Sequence, residues 1–246
     1  MKTLRKIYGI WGVMCFTIPL IFLLPFFHLF ALRDEWHIYS SWLNRFWARI
    51  FFIGILVPYH VEYRFKAIKK QPYVYCSNHT SWLDIIIMGI IAKGDHTFIG
   101  KSSLIKLPLF GPMFKKLHIT VDRNSRQHSY QAFTESMKAI DKGRSVIVFP
   151  EGGIRGTAPY LNDFKDGAFR IAIEKQIPLV PVSILYNWKI MDKSFLPKWH
   201  WGKAIVHPPL DTKGLTLEDL ESLKAKTRES IEKELKTIYP LVYETK

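Results

Sequence analysis

Residues 72–92 read PYVYCSNHTSWLDIIIMGIIA. Pro72 to Cys76 is short and apolar and ends at the polar pair Ser77-Asn78, whereas Trp82 to Ala92 is apolar and of helical length. A strand that feeds a polar turn and then a helix is the repeating unit of an α/β sheet. The alternation continues downstream. Thr97–Gly100 and Ile119–Asp122 are strand-like, and Ser102–Phe114, with Pro108, Gly111 and Pro112, reads as broken helix and loop. From Ser125 to Lys142, Tyr130, Phe133, Met137 and Ile140 recur every three or four residues, giving a helix that Gly143 closes. Ser145–Phe149 and Leu179–Leu185 are continuous apolar runs, as expected of strands buried on both faces. Lys165–Lys175 carries Ala168, Ile171 and Ala172 on one helical side. Lys203–His207 is a further strand, and Leu217–Tyr239 closes the chain as a charged helix with a narrow apolar stripe. The expected fold is α/β: a mixed, largely parallel sheet flanked by helices, preceded by an N-terminal membrane-associated helical segment.

The chain has 246 residues, enough for one α/β domain and a short extra segment. Apolar residues at 48% against 23% charged exclude a disordered chain. A formal net charge of +14 implies an anionic partner: nucleic acid, anionic lipid or a phosphorylated substrate. Nucleic acid explains the charge but not the apolar N-terminus, and is set aside. Cys15 and Cys76 make neither a disulfide framework nor a CxxC metal site, which fits a reducing compartment.

That N-terminus is free of Asp, Glu, Lys and Arg from Ile7 to Leu32, longer than the ~20 residues that cross a bilayer core as a helix. Lys2, Arg5 and Lys6 precede it, and Pro19 and Pro25 interrupt it, so a straight helix is not assured. Ile50–Val57, flanked by Trp42, Arg45, Phe46, Trp47 and Arg49, is too short to span and reads as an interfacial helix. Either the first segment spans, or the two form a hairpin that dips into one leaflet. The division expected is residues 1–58 as anchoring helices and 59–246 as the α/β body, with the boundary near Tyr59–Gln71.

Chemistry-bearing residues gather where strands end, the place where open sheets bind ligands. In the block Asn78–Asp84, a carboxylate five positions after a histidine can hold one imidazole N–H and leave the other nitrogen free to take a proton. The pair His79 and Asp84 is therefore a candidate general base without a protein nucleophile. The alternatives are a metal site, for which no third ligand stands at suitable spacing, and a histidine that caps or packs. Phe149-Pro150-Glu151-Gly152-Gly153-Ile154-Arg155-Gly156 follows another strand. Its glycines allow backbone N–H groups to cradle an anion, and Arg155 can add a bidentate phosphate contact. Glu151 is contrary in such a site, and a role holding the loop or Arg155 stands beside a substrate role. After Val121-Asp122, Arg123 can serve the same anion, with Lys101, Lys115 and Lys116 upstream; a solvated basic loop is the alternative. Ile177–Val182 reads as core strand.

In this order the motifs resemble those of the glycerolipid acyltransferase family that contains the 1-acylglycerol-3-phosphate acyltransferases. Asn78-His79-Thr80-Ser81-Trp82-Leu83-Asp84 matches its NHxxxxD signature. Gly111, Pro112 and Asp122-Arg123 resemble its second block, Phe149-Pro150-Glu151-Gly152 the FPEG of its third, and Val180-Pro181-Val182 its fourth. Phe164-Lys165-Asp166-Gly167-Ala168 resembles the Phe-Lys-x-Gly that trails the third block. The resemblance covers roughly residues 60 to 205. One departure stands out: the family pattern FPEGTRS has its arginine three places after glutamate, and here Arg155 is four places on.

The resemblance implies an O-acyltransferase of phospholipid biosynthesis that moves a fatty acyl group from acyl carrier protein or coenzyme A to the free hydroxyl of a lysophospholipid acceptor. His79 and Asp84 would be its catalytic residues, and Arg123, Glu151, Gly152, Arg155 and Lys101 its acceptor-binding residues. Neither a metal nor an organic cofactor is expected, because the thioester is already activated. Partners are the membrane, the lysophospholipid and the carrier thioester. The expected location is the cytoplasmic face of a cell inner membrane.

Overall fold

The computed structural model describes residues 2–106, 108, 110–122, 124–154, 158–192 and 196–244. Two helices lead, α1 (Lys2–Phe30) and α2 (His37–Gly54). Then come β1 (Tyr59–Tyr63), β2 (Val74–Ser77), α3 (Leu83–Ile91), β3 (His96–Lys101), α4 (Phe110–Leu117), β4 (Ile119–Val121), α5 (Arg126–Asp141) and β5 (Ser145–Val148). The chain ends with α6 (Gly167–Lys175), β6 (Leu179–Ile184), α7 (Asn187–Ile190), β7 (Gly202–Val206), α8 (Leu220–Ile238) and α9 (Pro240–Glu244).

The strands form one sheet in the order β1-β7-β6-β2-β5-β3-β4. β6, β2, β5, β3 and β4 are mutually parallel, with Val74 of β2 opposite both Val146 of β5 and Leu179 of β6. β7 turns antiparallel against β6 and carries the edge strand β1 parallel to itself. The sheet is thus mixed and mostly parallel. Residues 59–63, treated from sequence as a boundary, are a strand. The signal is weak because β1 is an edge strand that is only partly buried along its length, so no apolar run marks it.

Alternate side chains of the strands enter opposite layers, as the pleat requires. Tyr73, Tyr75, Ile147, Val180, Val182 and Ile184 face a core shared with α2 and α3. Val74, Cys76, Val146 and Leu179 face the one shared with α6 and α8. Ser125 caps α5 by accepting the His128 N–H, and Gly143, at φ +77°, ends the turn that follows it.

α1 is continuous through Pro19 and Pro25. It is long and apolar enough to cross a membrane, with a mean hydropathy of 2.2 and only 11% of its most apolar window buried in the protein. It lies against α2: Phe16 meets the ring of Trp47 edge-on at 4.7 Å, and the Tyr8 hydroxyl donates to Ile55 O at 2.6 Å. Ile50–Val57, read from sequence as an interfacial helix, falls in the last turn of α2 and the residues after it. Ala48, Phe51 and Ile55 are 0% exposed in the core over α3, while Tyr39, Trp42, Phe46, Ile53 and Leu56 face outward. A helix apolar on both sides reads alike from sequence whether its second side meets protein or lipid.

Candidate active site

β2, β5 and β6 end at the same sheet edge, and the residues that follow them meet there. Asn78 joins two of these ends: its Nδ2 donates to Ile184 O at 2.9 Å and its Oδ1 accepts the Ile184 N–H at 2.8 Å. This clamp between β2 and β6 fixes the turn that carries His79.

Asp84 sits in the first turn of α3 and is fully buried. Its Oδ2 accepts from His79 Nδ1 at 3.0 Å and from the backbone N–H groups of Thr80 at 2.6 Å and Ser81 at 2.8 Å. Asn187 Nδ2 donates to Oδ1 at 2.8 Å. Because a carboxylate only accepts, the proton of the His79–Asp84 bond belongs to Nδ1. In the neutral ring Nε2 carries the lone pair, and among the described residues it takes no hydrogen bond. Phe149 stacks on the imidazole, with centroids 4.0 Å apart and planes 19° apart, which limits how the ring can tilt. The five-residue spacing brings the pair together, with Nδ1 of His79 on Asp84 at 3.0 Å.

For Glu151 the sequence leaves open a substrate role and a role holding the loop. Glu151 is 2% exposed and points inward. Oε1 accepts the His79 N–H at 2.8 Å, and Oε2 accepts the Asn162 N–H at 3.0 Å. Each oxygen thus accepts a backbone N–H, and Glu151 ties the turn that carries His79 to the segment at Asn162. Burial pushes its carboxyl up, and the bonds from Asn162 and His79 oppose that. Arg228 extends this tie, donating to the carbonyls of Asn162 and Leu161.

Gly152 and Gly153 lie beside it at φ +74° and +144°. A Cβ on Gly152 would stand 3.0 Å from Lys165 Cε, so the lysine stem passes close over this turn. Lys101, exposed at the end of β3, pairs in register with Val121, two strands from β2. Arg123 and Arg155 lie outside the described residues.

Cys76, below the site, is no nucleophile: it is fully buried, and burial pushes its thiol far up. Among the described residues no group of three or more His, Cys, Asp or Glu could hold a metal ion. A cavity of about 540 Å3 lined by Tyr63, Lys66, Tyr73 and Lys93 opens where β2, β3 and β5 begin, at the opposite edge. The residues that sequence reasoning missed are Asn187, Asn162 and Tyr59, whose hydroxyl donates to Asn187 Oδ1 at 2.8 Å. None stands in a local motif with the residue it serves.

A buried His–Asp pair lies at this edge, tied to the glutamate of the FPEG loop, and the family model described as Acyltransferase matches residues 59–185. The chain belongs to the acyltransferase family. Among its relatives, the 1-acyl-sn-glycerol-3-phosphate acyltransferase of Haemophilus influenzae is 28% identical over 204 residues, 80% of each chain. That of Escherichia coli is 30% identical over 166 residues, 66% of each chain. The Saccharomyces cerevisiae enzyme of the same name is 32% identical over 179 residues, 69% of this chain and 57% of its own. The chain therefore spans most of the first, about two thirds of the second and just over half of the third. The crystal structure of the Thermotoga maritima 1-acyl-sn-glycerophosphate (LPA) acyltransferase, PlsC, superposes with a TM-score of 0.78. The match covers 95% of this acyltransferase and 97% of that chain at 23% identity, a likeness of fold.

Proposed function

We propose that this acyltransferase moves a fatty acyl group from acyl carrier protein or coenzyme A to the free hydroxyl of 1-acylglycerol 3-phosphate, giving phosphatidic acid. The observation that carries the reading is the free Nε2 of His79, with Nδ1 held by Asp84 at 3.0 Å. Nε2 takes the acceptor hydroxyl proton as that oxygen attacks the thioester carbonyl. The carbon–sulfur bond then breaks, and the departing thiolate receives the proton from the imidazolium. Asp84 stabilises the imidazolium while it exists. The relatives' names, which specify this acceptor, support the choice.

Arg155 and Arg123 hold the acceptor phosphate in this reading, with Gly152 supplying backbone approach and Lys101 adding charge at the rim. α1 holds the enzyme at the cytoplasmic face of the inner membrane, where donor and lipid meet. No metal or organic cofactor takes part. A second reading rests on the Gly153-Ile154 departure from FPEGTRS: the same chemistry on glycerol 3-phosphate or on a phosphate-free lyso-aminolipid.

The test is transfer by purified protein in vesicles. Labelled acyl carrier protein and coenzyme A thioesters are offered with lysophosphatidic acid, glycerol 3-phosphate and a phosphate-free lyso-lipid. Transfer to lysophosphatidic acid that His79→Ala abolishes is expected. Transfer only to another acceptor selects the second reading, and no transfer to any acceptor removes both.

A further inference from the structure

Asn187 opens α7 just after β6 and is 0% exposed. It bonds on both sides: Nδ2 donates to Asp84 Oδ1 at 2.8 Å, and Oδ1 accepts the Tyr59 hydroxyl at 2.8 Å. The two oxygens of Asp84 are unequally served. Three donors converge on Oδ2, and Asn187 is the donor to Oδ1 among the described residues. A carboxylate held at one oxygen can still swing about its Cβ–Cγ bond; a donor at the second oxygen fixes its plane.

The direction of every bond in this chain is forced. Asp84 accepts only, so Asn187 must offer it the amide N–H and is left with a bare oxygen. That oxygen needs a donor, and the Tyr59 O–H supplies it. Tyr59 itself has little freedom. Its ring packs on Phe52 with centroids 4.9 Å apart, and a Cβ on Gly202 would lie 2.3 Å from it. The edge strand β1 thereby reaches His79 through Asn187 of α7 and Asp84 of α3.

We infer that Asn187, oriented by Tyr59, is a positioning residue that sets the plane of the Asp84 carboxylate and, through it, the aim and basicity of His79. The inference rests on the acyl-transfer reading above. The charged groups that face His79 are Asp84 from α3 and Glu151 from the loop after β5; Phe149 and Asn187 bring no charge. Removing the Asn187 donor concentrates negative charge on Asp84 and favours the imidazolium, so the acid limb of kcat/KM moves to higher pH.

The experiment compares Tyr59→Phe, Asn187→Leu and Asn187→Asp with wild type, scaling each rate by the folded fraction from a thermal melt. Asn187→Leu is expected to lower kcat on the order of tenfold, a charge-assisted buried bond being lost, and Tyr59→Phe by a few fold. KM for donor and acceptor stays within about twofold, since neither residue touches substrate. The acid limb shifts up in all three and furthest in Asn187→Asp, where a second carboxylate faces Asp84. An acid limb that stays in place in all three, or losses that vanish on scaling, overturns the inference. If Asn187→Leu does not fold, Tyr59→Phe, which keeps the ring, decides alone, and an unchanged profile overturns it. If wild type transfers to no acceptor, the acyl-transfer reading falls separately. The relay is then read from the titration of the His79 ring in 15N-histidine-labelled protein, and a midpoint unmoved by the three substitutions overturns it.

Discussion

One oxygen of the Glu151 carboxylate accepts the backbone N–H of His79 at 2.8 Å, across 72 positions of chain. The FPEG loop and the NHxxxxD turn are therefore one mechanical unit, with a buried carboxylate as the tie.

Glu151→Gln keeps the shape of the tie but turns one accepting oxygen into a donor. That NH2 must face the N–H of His79 or of Asn162, two donors in a buried site. The substitution is expected to cost on the order of 1–3 kcal/mol in unfolding free energy, and to lower kcat more than it raises acceptor KM. Chemical denaturation and steady-state kinetics check both. A raised acceptor KM with an unchanged kcat would instead place Glu151 at the substrate.

Asp84→Asn should fold, since it is nearly isosteric, yet lose most activity. Its amide cannot accept at every position now filled by the donors of His79, Thr80, Ser81 and Asn187. The Nδ1–H form of His79 loses its partner, and a fall in kcat of about 10²–10⁴-fold is expected. Equal rates for Asp84→Asn and wild type would remove the base assignment.

Gly152→Ala tests the turn itself. At φ +74° an L side chain costs roughly 1–2 kcal/mol, and the new Cβ presses on Lys165 Cε at 3.0 Å. The expected result is a lowered melting temperature together with a raised acceptor KM. An unchanged KM would show that this turn does not face the acceptor.

The proposed function has α1 attach the enzyme to the membrane by its outward side. Ile18 and Phe22 are 44% and 73% exposed there, and a lysine near a bilayer centre costs about 2.5–3.5 kcal/mol. Ile18→Lys with Phe22→Lys should move the protein from the vesicle to the soluble fraction in flotation, with its melt little changed. Continued flotation would assign the attachment elsewhere.

His207 gives a pH test remote from the site. It is buried against Ser183, and burial, the largest cause, lowers its imidazole to about 4. Nearby Glu234 and Glu62 raise it and Arg64 lowers it, without reversing the direction. The unfolded chain takes up this proton near pH 6.5 and the folded one only near 4, so stability is lost as pH falls through that window. The slope attributable to His207 approaches about 1.4 kcal/mol per pH unit. His207→Gln should flatten it in denaturation curves between pH 7 and 4, and an unchanged slope would assign the acid limb to other groups.

The alternation of strand, turn and helix from Pro72 onward, the place of His79 and Asp84 between a strand and a helix, and the length of α1 are all legible in the amino-acid order. These depend on neighbours within a few residues, through helical and pleated periodicity and through turn chemistry. Packing between distant segments set the rest. It turned β7 antiparallel, made β1 an edge strand and sank half of α2 into the core. It directed Glu151 inward, and it placed Asn187 on Asp84 across 103 positions and Tyr59 on Asn187 across 128. Such pairs are set by strand order and layer packing, because which donor reaches a buried carboxylate depends on what the sheet brings beside it.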